Sequence, residues 1–372
     1  MPEVKDQCSP DQRAPQHNVK KERTPRVVSV AQLGEFDEII DVRSEGEFAE
    51  DHIPGAVNYP VLNNLEREQV GTLYKQTSSF DAKKTGAALV SANIARHLQQ
   101  HLLGHPRDWR PLVYCWRGGG RSSALAHVLA QIGWQVGRLD GGYKTYRRAV
   151  IDELLTLPAR FSWRVVCGMT GTGKSRLLRA LCDQGAQVLD LEELAAHRGS
   201  VLGNLPDAPQ PPQKLFESRV WRALGQLDPE RPVFVESESK KIGNLRVPEA
   251  LIDTMWQSAC IVVEAPMAVR VGLLKDDYAH FLQDAVLLNG QLDCLRQLHG
   301  NAVIDDWQGL ARNQAWDRLT EELLVRHYDP AYTRAINNHY PQLPQAPRFS
   351  LAANSPAAMK QLARNVLCGV AH

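Results

Sequence analysis

One eight-residue run constrains this chain more than any other. Gly168-Met169-Thr170-Gly171-Thr172-Gly173-Lys174-Ser175 follows the apolar stretch Ser162-Trp163-Arg164-Val165-Val166-Cys167 without a break and leads into helical spacing over 176–183. The pattern is G-x4-G-K-S in a strand–loop–helix setting. Such a loop sits at the C-terminal edge of a parallel sheet, which commits this part of the chain to an α/β fold. Its backbone amides are expected to wrap a diphosphate, with Gly168, Thr170, Gly171, Thr172 and Gly173 shaping the wrap. Lys174 supplies a point charge, and the Ser175 hydroxyl suits Mg2+. A chance glycine turn is the competing reading, and it leaves the flanking strand and helix unexplained. The loop does not name its ligand. A nucleotide hydrolase also brings an apolar strand ending in Asp to hold the metal. Here Val233-Phe234-Val235 ends in Glu236, and Val188-Leu189 is followed by Asp190. Each is a candidate acid or Mg2+ ligand, and each reads equally as a polar strand end. The polar run 237–243 after Glu236 falls where ligands bind in α/β sheets, at strand C-termini.

A second loop carries different chemistry. Tyr114-Cys115-Trp116-Arg117-Gly118-Gly119-Gly120-Arg121-Ser122-Ser123 lies between an apolar strand, 111–115, and a helix, 122–132. Gly118, Gly119 and Gly120 let the backbone curl with its amides inward, together with Ser122 at the helix start. The helix N-terminus and the charges of Arg117 and Arg121 add positive potential. A cysteine held there is expected to be thiolate in character, and the loop to cradle an anionic adduct on sulfur. The alternative is a buried, inert cysteine beside a glycine turn. Packing alone does not call for three glycines and two arginines. Cys8, Cys167, Cys182, Cys260, Cys294 and Cys368 have no comparable surroundings, and no two cysteines form a CxxC pair. Neither a zinc site nor a disulfide framework is suggested, which points to a reducing, cytoplasmic setting.

Short apolar runs at 27–30, 38–43, 111–115 and 136–139 read as strands, and Leu125, Val128, Leu129 and Ile132 give one helix an apolar face that stops at Gly133. The pattern restarts near 160, with further strands at 187–191, 232–236 and 260–264 and a Pro-rich loop at 205–212. Beyond 265 it is almost wholly helical through Leu324. The expected organisation is a flexible leader at 1–26, an α/β module at 27–155, a second α/β module with the glycine loop at 156–265 and a helical C-terminal region at 266–372. Lys20, Lys21, Arg23 and Arg26 make the leader mildly basic. No run of about 18 apolar residues offers a membrane span. A net charge of +1 neither announces nor excludes a nucleic-acid partner. Local clustering does more: beyond Asp329, the last acidic side chain, come Arg334, Arg348, Lys360 and Arg364, with Tyr332, Tyr340 and Phe349 among them. Bases stack on such rings while cations meet phosphates. The other reading is a loosely packed tail with solvated charges.

Asp41-Val42-Arg43, Glu47-Phe48 and His52-Ile53-Pro54-Gly55-Ala56-Val57-Asn58 resemble the first signature of rhodanese domains. The Cys115 loop resembles their active loop, and Leu139-Asp140-Gly141-Gly142-Tyr143 their closing motif. There is one departure. Common sulfurtransferases place the loop arginine five positions after the cysteine, and Arg121 comes six after Cys115. The longer loop implies a larger pocket and matches the Cys-x5-Arg-Ser/Thr spacing of cysteine phosphatases. Those usually have His before the cysteine, where this chain has Tyr114. A rhodanese module followed by a P-loop module, with the polar run starting at Glu236 and with His327-Tyr328-Asp329-Pro330, resembles the tRNA 2-selenouridine synthase family from about residue 28 to about residue 330.

That resemblance implies an α/β fold with an N-terminal rhodanese-like domain on a mainly parallel sheet, then a P-loop NTPase-like α/β domain with a helical C-terminal region. It implies a transferase that replaces sulfur by selenium at C2 of wobble 2-thiouridine in tRNA. Selenophosphate is the donor, and S-geranyl-2-thiouridine, made from geranyl diphosphate, is the intermediate. The implied partners are the Lys, Glu and Gln tRNAs and a selenophosphate-supplying enzyme, with no membrane. No tightly bound cofactor is implied beyond Mg2+ at the P-loop. Cys115 is expected to carry selenium as a selenosulfide, and Arg117 and Arg121 to hold the anion. The P-loop is expected to hold the diphosphate of geranyl diphosphate, with the prenyl tail in an apolar groove built by the region after 265. The rivals are a rhodanese-type tRNA sulfurtransferase with ATP at the P-loop, a P-loop kinase with an inactive rhodanese-like module, and a Cys-x5-Arg phosphatase.

Overall fold

The structure is a computed structural model describing residues 24–370 apart from Val201 and Asp207. The expected leader lies outside the described residues as far as Arg23, and Arg26 already opens the first strand. Among the described residues the N-terminal sheet holds β1 (Arg26–Val28), β2 (Glu38–Asp41), β3 (Val57–Asn58), β4 (Pro111–Tyr114) and β5 (Gly137–Leu139). They run in the order β1-β5-β4-β2-β3, and every pairing is parallel. Strands of this sort read as continuous apolar runs because both faces are covered. β4 follows the rule: Leu112, Val113 and Tyr114 are fully buried. The helix Gly120–Ile132 buries Leu125 and Leu129 as its spacing predicts, whereas Ile132 at its end is exposed. Two helices, Asn64–Gln76 and Ser79–His97, went unread in the sequence. The first buries no side chain, so it has no apolar stripe to detect.

The second sheet contains β6 (Trp163–Cys167), β7 (Gln187–Leu189), β8 (Val233–Glu236), β11 (Ala259–Glu264) and β12 (Arg348–Ser350). Between β8 and β11 the chain makes a small antiparallel hairpin, β9 (Lys241–Ile242) with β10 (Leu245–Arg246). The order is β12-β11-β6-β8-β7, again parallel throughout. β6 is therefore central, and the glycine loop leaves its C-terminal end. β8 lies directly beside it, with Val166 opposite Glu236, so that glutamate arrives next to the loop.

The region after 266 differs from the helical extension expected. It is helical from Met267 to His339, then returns to the sheet as edge strand β12. The closing helix Pro356–Val370 packs on the P-loop helix Lys174–Cys182 through Leu177, Leu178, Leu181, Met359, Leu362 and Val366. The helical part is thus an insertion between β11 and β12, and the tail completes the P-loop unit. A three-residue edge strand after Pro341, Pro344 and Pro347 carries little periodicity to read.

Of the two readings open for the tail, neither the stacking surface nor the loosely packed arm is found among the described residues. Tyr340 is buried, with its hydroxyl donating to Glu238 O at 3.1 Å. Phe349 packs on the core from β12, and Tyr332 reaches the glycine loop. Arg348 pairs with Glu264 at 2.5 Å. These rings are engaged because the last helix of the insertion folds onto the P-loop unit and the chain then adds β12 to the sheet.

The two modules share one apolar cluster. Tyr143, Tyr146, Val150 and Leu154 from the helix Gly142–Leu154 meet Phe161, Trp163, Phe216, Val220 and Leu224. Tyr146 stands edge-on to Trp221 at 5.6 Å, whose indole N–H donates to Glu153 at 2.8 Å. Arg147 pairs with Glu217, and Lys214 with Glu50 at 2.8 Å. Burial of this apolar seam holds the modules together.

Candidate active site

Gly168, Gly171 and Gly173 all have positive φ, at 158°, 81° and 82°. At Gly168 a Cβ would stand 2.5 Å from Val263 O, so the close approach to β11 admits only glycine. The Gly168 amide donates to the Tyr332 hydroxyl at 2.7 Å, and the Thr172 hydroxyl to Met169 O at 2.9 Å. These two predicted residues shape the loop from behind. Thr170, Gly171, Gly173, Lys174 and Ser175 line the open cleft in front of it. The Lys174 ammonium donates to Gly168 O at 2.9 Å and lies 3.4 Å from Glu236. Burial works against its charge, but Glu236, Tyr332, Glu192 and Glu238 outweigh that and raise its pKa.

Three carboxylates converge here. Glu192, Glu236 and Glu238 bring one oxygen each to within 4.8 Å of one another. The Ser175 hydroxyl lies 2.8 Å from Glu192 and 2.9 Å from Glu236. Burial pushes the Glu192 carboxyl up to about 8, with the neighbouring Glu236 adding to the shift. Burial likewise raises Glu236, against the pull of Lys174, and raises Glu238 well above the carboxylate range. Glu192, Glu236, Glu238 and Ser175 form an all-oxygen donor set of the kind a hard divalent cation takes. Asp190 is placed otherwise: it lines the cleft while its carboxylate caps the helix Leu191–Ala195, accepting from Glu193 N at 2.9 Å.

The helical insertion grips the loop. Arg270, buried, donates to Thr170 O at 2.9 Å and makes a two-pronged pair with Asp329 at 2.5 and 3.0 Å. This gives a structural role to the Asp of the His327-Tyr328-Asp329-Pro330 run. Beside this clamp lies a small apolar cavity of about 70 Å3. Thr170, Ser200, Leu274 and Tyr278 line both cavity and cleft, so the two are adjacent. Its far wall comes from the insertion, including Phe281, Leu282, Leu288, Trp316, Leu319 and Leu323.

The Cys115 loop is a separate site, sharing no lining residue with the P-loop cleft. Cys115, Trp116, Arg117, Gly119, Gly120 and Arg121 form a shallow cup at the N-terminus of the helix Gly120–Ile132. The Cys115 sulfur lies 3.2 Å from Ser122 Oγ and 3.9 Å from Gly119 O. Gly118 has φ +64°, and a Cβ there would stand 2.9 Å from Leu139 O. Gly142 of the closing motif has φ +61°, and any side chain there would run into Cys115 O. The glycines thus let two turns interlock behind the sulfur. Arg121 is held by Glu47 at 2.9 Å.

Sequence reading brought out both loops and Glu236. It passed over Glu192 as a partner of Ser175 and Glu238 as the third carboxylate of the cluster, although Glu238 stood in the polar run after β8. It also passed over the Arg270–Asp329 clamp and the cavity's lining. Those residues lie far apart in the chain, and no spacing rule joins them.

Residues 29–149 match the family described as the rhodanese-like domain, and residues 161–300 match the one described as the tRNA 2-selenouridine synthase AAA domain. A tRNA 2-selenouridine synthase from Bdellovibrio bacteriovorus is 37% identical over 349 residues, covering 81% of this chain and 89% of that one. One from Hydrogenovibrio crunogenus is 33% identical over 325 residues, covering 79% and 88%. With the Nitrosomonas europaea protein of the same name the identity is 38% over 244 residues, covering 64% of this chain and 63% of that one. Both modules in this order, and the near full-length likeness, place this chain in the tRNA 2-selenouridine synthase family.

Proposed function

We propose that this chain replaces sulfur by selenium at C2 of wobble 2-thiouridine in tRNA, by way of an S-geranyl intermediate made at the P-loop. The observation that carries the geranyl step is the apolar cavity next to the P-loop cleft, with Thr170 and Leu274 in the walls of both. A diphosphate wrapped by Gly171, Gly173 and Lys174 projects its prenyl tail past Thr170 and Leu274 into that cavity. A prenyl chain is apolar along its whole length, whereas the ribose hydroxyls of ATP would be desolvated against such walls, so prenyl diphosphate is favoured over ATP.

The thione sulfur attacks C1 of the geranyl group, the carbon–oxygen bond breaks, diphosphate leaves and the base loses its N3 proton. Negative charge grows on the departing diphosphate, and Lys174 stabilises it where it grows. Where Mg2+ binds, Ser175, Glu192, Glu236 and Glu238 would hold it, and it would neutralise diphosphate charge. Alkylation turns a poor leaving group into a thiolate and makes C2 more electrophilic. Selenophosphate, held in the Cys115 cup, then adds to C2 through selenium and expels geranyl thiol, and water cleaves the phosphorus–selenium bond to release phosphate and leave selenium on C2. Arg117, Arg121 and the loop amides meet the anionic donor, and Cys115 is the side chain assigned to selenium. The substrates implied are the Lys, Glu and Gln tRNAs, with a partner enzyme to supply selenophosphate.

The test is calorimetry with geranyl diphosphate, inorganic diphosphate and ATP. Burying four carbons of the tail is worth about 3 kcal/mol at roughly 0.8 kcal/mol each, so geranyl diphosphate should bind at least about 100-fold more tightly than diphosphate. Leu282→Trp, which fills the cavity from a half-buried position, should remove that margin and leave diphosphate affinity intact. Tight ATP binding with no gain from the geranyl tail would overturn the reading.

A further inference from the structure

Trp116 follows the cysteine directly, yet its side chain is 40% exposed. Its position is fixed rather than loose. Tyr143 N donates to Cys115 O at 2.8 Å and Lys144 N to Trp116 O at 3.0 Å, so the helix Gly142–Leu154 pins the backbone on both sides of the peptide. The indole leans on the Tyr143 ring at 5.2 Å. Tyr143 is in turn locked, its hydroxyl donating to Asp51 at 2.8 Å and its ring lying 4.0 Å from the buried Arg43 guanidinium. A large aromatic surface is therefore held rigidly beside the cup, with a layered support behind it.

Trp116 also stands between two concavities. One is the Cys115 cup. The other is an open cleft of about 390 Å3 on the rhodanese module, lined by Ser44, Glu47, Arg67 and Tyr143 as well as by Trp116, with Lys214 reaching in from the P-loop module. Lys214 belongs to the P-loop module, on the helix Gln213–Leu224, so docking of the modules adds a cation to the wall of this cleft. Arg67 and Lys214 are half-exposed, and each has one carboxylate near it: Glu47 at 3.0 Å and Glu50 at 2.8 Å. The Lys214–Glu50 pair is exposed on both sides and so is weak and readily exchanged for another anion, while Glu47 is shared between Arg67 and Arg121.

We propose that this cleft is the nucleobase site: the target uridine, unstacked from the anticodon loop, lies on the Trp116 indole, and Arg67 and Lys214 meet the flanking phosphates. The assignment rests on the function proposed above and names where that substrate is held. An enzyme acting on C2 of a base must take the base out of its stack, and bases of single-stranded loops are held on aromatic faces. Trp116 lines both concavities and follows Cys115 directly in the chain, so a base stacked on the indole lies beside the loop that carries Cys115. The stacking surface expected in the C-terminal tail is thus supplied by the rhodanese loop.

The experiment measures affinity for an anticodon stem–loop RNA with 2-thiouridine at the wobble position and for the same RNA with an abasic site there. Wild type should lose about 5- to 150-fold on removal of the base. Trp116→Ala should bind both RNAs alike, near the wild-type abasic affinity, and Trp116→Phe should restore most of the difference. Lys214→Ala should weaken both RNAs equally and lower the salt slope by about one. The side chain is exposed, so melting temperature should hold in all Trp116 variants. An undiminished abasic penalty in Trp116→Ala overturns the proposal while leaving the tRNA reading standing. If wild type binds neither RNA, the tRNA reading falls and the nucleobase site with it.

Discussion

Glu192→Gln tests how the acid cluster under the P-loop is built. Burial and then the Glu236 charge push the Glu192 carboxyl up to about 8 from an ordinary 4.5. A carboxyl whose pKa is higher folded than unfolded holds its proton preferentially in the folded state. Its contribution is fully present below the unfolded value and is lost as pH rises through the folded one. With these two values, the loss between pH 6 and pH 9 is roughly 2–3 kcal/mol. Glutamine keeps the shape, offers Ser175 an amide oxygen and cannot ionise. The variant should therefore gain about 2–3 kcal/mol on wild type across that interval, which widens the gap in melting temperature by several degrees at the alkaline end. Scanning calorimetry of both proteins at pH 6 and pH 9 measures it. Millimolar Mg2+ adds a second reading. The cation prefers ionised carboxylates, so it should restore wild-type stability at pH 9 and do less for Glu192→Gln. Parallel stability profiles for the two proteins would refute the reasoning, because they would mean that Glu192 titrates as an ordinary surface acid.

Two further outcomes separate the chemistries. Lys174→Ala should remove geranyl transfer, and with it selenation of ordinary 2-thiouridine tRNA, while sparing selenation of tRNA supplied already geranylated; nucleoside mass spectrometry on both substrates reads the split. Cys115→Ser should do the reverse, abolishing 2-selenouridine while S-geranyl-2-thiouridine still forms, and undiminished selenium in that variant would remove Cys115 from the selenium step.

The parts of this protein legible in its sequence are those in which chemistry and geometry are local. A glycine loop between a strand and a helix fixes its own curl, because Gly171 and Gly173 adopt backbone angles that other residues resist. The same holds for Gly118 beside Cys115. Covered parallel strands announce themselves as apolar runs, as β4, β6 and β8 do. Both modules, both loops and the glutamate ending β8 followed from such patterns. What lay beyond them depends on residues brought together across the chain. Ser175 meets Glu192 and Glu236 only because β8 pairs with β6 and the chain after β7 folds back over the loop. Tyr332 read as a stacking platform in a free tail, yet it accepts from the Gly168 amide, because the insertion between β11 and β12 folds onto the P-loop. The cavity walls and the Trp116 cleft are likewise contributed by separate elements, the latter by two modules. An apolar or aromatic side chain in a sequence states that it seeks burial or a partner. Which partner it finds is decided by docking, since burial rewards area and fit rather than order along the chain.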